Sequence, residues 1–112
     1  MKTSDLGGDA MKTVRANAAK GFFDVVAGTS RSQAATMVLK PGQSTGGDDN
    51  VHAGADKWLY VIAGRGEATV ERRTVPIETG HLLLIEAGEH HEIRNTGGDP
   101  LVTVNVYAPP EY

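Results

Sequence analysis

From Phe22 onward the apolar residues of this chain recur at every second position in short runs, and each run is stopped within a few residues by glycine, proline or a polar turn. Alternation with a period of two belongs to strands. A helix needs a sustained period near 3.6 over ten residues or more, and no segment after residue 21 supplies one. Many short strands punctuated by Gly and Pro predict an all-β sandwich or barrel. The predicted strands are residues 22–27, 34–40, 57–63, 67–72, 74–77, 81–85, 92–95 and 101–107. Phe23, Val25 and Ala27 should share one face of the first, with Phe22, Asp24 and Val26 on the other. Residues 57–63 are the strongest candidate, because Trp58, Tyr60, Val61 and Ile62 cluster there. The next strand should pair with it across a Gly64-Arg65-Gly66 hairpin. The continuous run at 81–85 fits a strand buried on both faces, and residues 96–100, Thr-Gly-Gly-Asp-Pro, predict a turn.

A chain of 112 residues is the size of one domain and buries roughly 65% of its unfolded surface. Residues 1–20 are small and polar and read as a flexible arm, with Met11 as an alternative start; residues 21–112 read as the β domain. Eleven basic and fourteen acidic side chains give a net charge of -3, with both signs scattered, so nucleic acid is not an expected partner. The absence of cysteine excludes disulfides, iron–sulfur clusters, thiolate ligands and cysteine nucleophiles. The longest apolar stretch, 58–63, is too short to cross a bilayer, and the N-terminus lacks the apolar core of a secretory signal. The expectation is a soluble, cytoplasmic protein with no membrane partner.

Two histidine-bearing stretches carry the functional signal. In the second, Gly80 is followed after five residues by Glu86-Ala87-Gly88, then Glu89-His90, His91, three residues and Asn95. In the first, Asn50-Val51-His52 precedes Lys57, and six residues separate Lys57 from Gly64. With these spacings, residues 22–110 resemble a small single-domain cupin. That resemblance implies a double-stranded β-helix, or jelly-roll, barrel, and it implies that the family's ligand positions fall on residues 50, 52, 57 and 91. The second motif departs from the family pattern only in Glu86, where proline is usual. The first departs at two ligand positions: Asn50 stands for a histidine and Lys57 for the glutamate.

If residues 50–52 are extended, Asn50 and His52 look the same way. His52 with His91 then makes a two-imidazole fragment, short of the three protein ligands of a usual catalytic zinc site. Asp48, Asp49 or, in a bulged strand, His90 would have to complete it. An ammonium at Lys57 repels a dication unless it loses its proton, which burial promotes. The leading expectation is a barrel without a tightly bound metal that binds a small polar or anionic ligand through Asn50, His52, Lys57 and His91. The alternative is a metal-dependent oxygenase or isomerase in which His52 and His91 hold iron, manganese or zinc. A structural or sensory dimer without turnover is a third reading, and Lys57 turning outward to Glu86 or Glu89 is a further possibility for that residue.

Elsewhere the expectations are structural. His90 should face outward, His81 should be a satisfied edge residue, and Asn95 should hold a turn through its side chain. Gly64-Arg65-Gly66 lacks the remaining residues of a phosphate loop, and no serine sits in a nucleophile-elbow setting. One set of the alternating residues Trp58, Leu59, Tyr60 and Val61 should line the barrel. The other should pack outside, where aromatics fit a homodimer interface that covers edge strands.

Overall fold

The computed structural model describes residues 11–46 and 53–112. A single 3-10 turn, Ala16–Ala18, precedes eight strands: β1 Phe23–Gly28, β2 Gln33–Leu39, β3 Asp56–Ala63, β4 Arg65–Val70, β5 Arg73–Glu78, β6 Leu82–Ile85, β7 His91–Asn95 and β8 Leu101–Ala108. They form two antiparallel sheets, a five-stranded one in the order β1-β2-β8-β3-β6 and a three-stranded one in the order β5-β4-β7. This is the double-stranded β-helix expected of the sequence. The core lies between the sheets: Met37, Leu39, Leu59, Val61, Ile85 and Leu101 come from the larger sheet and meet Ala68, Ile77 and Ile93 from the smaller. Burial alternates along β8 and along β3 as far as Val61, which is the pattern of strands with one face on the core.

Four local expectations are corrected. β3 and β4 are not a hairpin: β3 pairs with β6 and β8, while β4 pairs with β5 and β7. Gly64, at φ 89°, turns the chain from one sheet to the other. A Cβ there would collide with the Pro100 carbonyl oxygen, so the corner depends on glycine. β4 also ends at Val70, because Glu71 and Arg72, at φ 49° and 69°, form the two-residue turn to β5. That turn is tied down by Glu71 N–H donating to the His90 carbonyl at 2.9 Å and His90 N–H donating to Glu71 Oε2 at 2.7 Å.

β6 is an edge strand rather than one buried on both faces. Ile85 is buried, but Leu82 and Leu84 face out, 61% and 40% exposed. In β1 the register shifts between Val25 and Ala27, and this bulge breaks the expected shared face: Phe23 packs inward while Val25 is exposed.

The 96–100 turn forms as expected. Asn95 is buried; its Nδ2 donates to the carbonyls of Leu39 and Asp99, both at 2.8 Å, and its Oδ1 accepts from Gly97 N–H at 2.8 Å. His81 is an exposed residue whose Nδ1 accepts from Glu78 N–H at 3.2 Å, and His90 is exposed. Among the described residues no helix is long and apolar enough to cross a membrane.

Candidate functional site

Lys57 is the second residue of β3 and follows the parity of Leu59 and Val61, so its side chain enters the barrel while Trp58 and Tyr60 point out. It is paired with Tyr107 on β8 and with Ile85 on β6. Only 3% of its surface is exposed, and its Nζ lies 5.7 Å from the centre of the Tyr107 ring, within cation–π range. Burial strips the ammonium of water and lowers its pKa from 10.5 to about 8. Neither Glu86 nor Glu89 pairs with it: Glu86 is exposed, and Glu89 Oε1 accepts from Glu86 N–H at 2.7 Å. Among the described residues no carboxylate pairs with Lys57.

A cavity of about 260 Å³ opens beside Lys57, lined by Phe22, Phe23, Met37, Thr45, Tyr107 and Tyr112. Lys57 is the one charged side chain among these lining residues. Three rings form a cluster over it: Phe23 and Tyr112 lie 4.8 Å apart between centroids, Tyr107 and Tyr112 5.2 Å, and Phe23 and Tyr107 6.5 Å. Burial and a hydrogen bond to the Tyr112 phenol push the Tyr107 hydroxyl far above its usual range, so it stays protonated and neutral. Tyr112 is brought back by Gln33, whose Nε2 donates to the Tyr112 carbonyl at 2.8 Å while its Oε1 accepts from the N–H groups of Tyr112 at 2.9 Å and Glu111 at 3.2 Å.

His91 opens β7 in the other sheet and is buried, 1% exposed. Its Nδ1 lies 3.2 Å from the Glu89 carbonyl oxygen. A carbonyl only accepts, so Nδ1 carries a proton, and in the neutral tautomer Nε2 is then the acceptor nitrogen. Lys57 and His91 thus face the interior from opposite sheets, although His91 does not line the cavity beside Lys57. Asn50 and His52, with Asp48 and Asp49, lie outside the described residues. Among the described residues His91 is the one buried imidazole, and an amine, Lys57, stands where the resemblance implies a carboxylate. No group of three or more His, Cys, Asp or Glu side chains comes together among them.

The residues of the cavity besides Lys57 were not singled out by sequence. For Tyr107 the signal was present in β8, whose inward row is Leu101, Thr103, Asn105 and Tyr107 and whose outward row is Val102, Val104 and Val106. The more polar row is the buried one, as suits a barrel that contacts a ligand rather than one filled by hydrocarbon. Phe23 and Tyr112 reach the site through tertiary contacts that periodicity does not encode.

The cupin domain model matches residues 35–107, and the chain belongs to the cupin family. It is 36% identical over 67 residues to an oxalate-binding protein of Thermotoga maritima, covering 60% of this chain and 54% of that protein. It is 32% identical over 71 residues to the tetracenomycin polyketide synthase protein TcmJ of Streptomyces glaucescens, covering 63% and 46%. The chain therefore spans about half the length of these curated relatives. Among solved structures, BH2720 of Bacillus halodurans superposes with a TM-score of 0.85 at 26% identity, covering 95% of this chain and 86% of that one.

Proposed function

We propose that the barrel binds a small polar or anionic molecule, with Lys57 as the charged anchor and with His91, His52 and Asn50 as further polar contacts. The observation that carries this reading is the burial of the Lys57 ammonium beside a cavity in which, among the described residues, no other charged side chain is found. A buried cation is costly unless an anion or strong dipole compensates it, and a ligand carboxylate or carbonyl supplies that compensation. The oxalate-binding relative, named for an anion, supports the same class of ligand. Titration calorimetry with oxalate and other small carboxylates tests it. Binding to the native chain that is lost in Lys57→Met supports the reading, and equal binding by both proteins, or none by either, overturns it.

A second reading, a metal-dependent oxygenase or isomerase, draws on His91, whose protonated Nδ1 presents Nε2 as an acceptor nitrogen. Elemental analysis of tag-free protein separates the two: near-stoichiometric iron, manganese or zinc that disappears in His91→Ala favours the enzyme.

The exposed outer face of β3 and β6 supports a homodimer, and a cytoplasmic location remains part of the proposal. Trp58 is registered opposite Leu84, and Tyr60 opposite Leu82, on a surface with no charged residue between them.

A further inference from the structure

We propose that Asn105 is a second donor beside Lys57, and that the two together hold the carboxylate of an aromatic monocarboxylic acid whose ring lies among Phe23, Tyr107 and Tyr112. The inference rests on the anion-binding reading above and adds to it a residue and a ligand class.

Asn105 is completely buried on the inward face of β8. Its Oδ1 accepts a hydrogen bond from the Thr103 hydroxyl at 3.1 Å, whereas its Nδ2 is buried and makes no hydrogen bond among the described residues. Buried amide donors are almost always satisfied, and an exception in a binding barrel points to a ligand acceptor. Its surroundings agree. Tyr107 is registered opposite Lys57 and Asn105 opposite Leu59, so Lys57 and Asn105 are diagonal neighbours on one face of adjacent strands. Such residues are separated by about 7–8 Å, a gap that one carboxylate spans with its two oxygens when a long side chain reaches toward it. On the other side Asn105 is registered opposite Ala35, whose methyl leaves room, and Met37 is the diagonal neighbour there. Met37, Lys57 and Tyr107 line the cavity, and Asn105, not itself a lining residue, sits among them in the register of β2, β8 and β3.

The walls define the rest of the ligand. Oxalate has no apolar body to match Phe22, Phe23, Met37, Tyr107 and Tyr112, whereas an aromatic ring does. At about 260 Å³ the cavity is just below the roughly 300–1,000 Å³ of pockets for drug-sized molecules. One ring with a short acidic arm suits that size, and a fused polycycle does not.

Benzoate is the probe, with oxalate and benzyl alcohol as comparisons. We expect calorimetry on the full chain to show benzoate binding, weaker binding of benzyl alcohol, and a loss of about tenfold or more in benzoate affinity in Asn105→Leu. In an NMR titration of the native chain, benzoate should shift the Asn105 side-chain amide resonances, a readout that needs no variant to fold. Benzoate binding that leaves Asn105→Leu unaffected and these resonances unmoved overturns the role of Asn105 and leaves the anion reading standing. Oxalate binding without benzoate binding overturns the ligand class alone. No binding of either acid overturns the anion reading and this inference with it.

Discussion

Lys57 and Tyr107 are registered directly opposite each other on β3 and β8, both buried, with the Lys57 Nζ 5.7 Å from the centre of the ring. A ring face attracts the ammonium but does not replace its lost hydration, which is why burial governs the lysine's pKa. Between pH 8 and 10.5 the unfolded chain holds a proton at residue 57 that the folded chain has released, so stability rises with pH across that window. Below pH 8 the folded protein carries the full cost of the buried charge, about 3 kcal/mol by linkage. Lys57→Met should therefore be more stable than the native chain at pH 7 by about that amount, and the gap should close as pH approaches 10.5. Denaturant unfolding of both proteins at several pH values checks it; a gap independent of pH would mean that Lys57 carries no such penalty.

The same lysine illustrates what was legible in the sequence. Strand alternation places Lys57 on the face of Leu59 and Val61, and the motif spacings place it in the barrel, so fold and anchor both follow from local pattern. The pairing of β3 was not legible. A Gly-Arg-Gly corner that moves the chain between sheets has the composition of a hairpin turn, and only the approach of the Pro100 carbonyl to Gly64 distinguishes them. Leu82 and Leu84 misled in the opposite sense, because apolar composition does not separate a doubly buried strand from an edge strand with a sticky outer face. Tyr112 reaches the cavity through the amide of Gln33, 79 residues away in sequence, a contact with no periodic trace.

The Gly64 corner yields a paired test. Gly64 and Gly80 both have positive φ, 89° and 95°, but an added Cβ meets backbone at Gly64 and nothing within 4 Å at Gly80. Gly80→Ala should cost about 1 kcal/mol from backbone strain alone, and Gly64→Ala clearly more, about 3 kcal/mol. Chemical denaturation of the two variants measures the difference, and equal losses would show that the collision relaxes without cost.

Gln33 closes the residues beyond β8 over the cavity through three hydrogen bonds. Gln33→Ala should cost about 1 kcal/mol of stability, since such exposed bonds are individually weak. It should also free Tyr112 from the ring cluster. Faster hydrogen exchange at the Glu111 and Tyr112 amides, with faster association of any ligand that enters past Tyr112, is the expected outcome.

The last prediction concerns the outer face. Trp58 and Tyr60 are each 43% exposed, and Leu84 and Leu82, registered opposite them on β6, are 40% and 61% exposed. A β6 edge beside these side chains offers both apolar area and unpaired backbone, the two features that association conceals. Leu82→Glu puts a charge on this surface while leaving the buried face of β6, carried by Ile85, intact. Light scattering should give a dimer mass for the native chain and a monomer mass for Leu82→Glu, with little change in far-ultraviolet circular dichroism. A native chain that is monomeric at high concentration would show that the patch is not used for self-association. A Leu82→Glu dimer would place the interface elsewhere on the barrel.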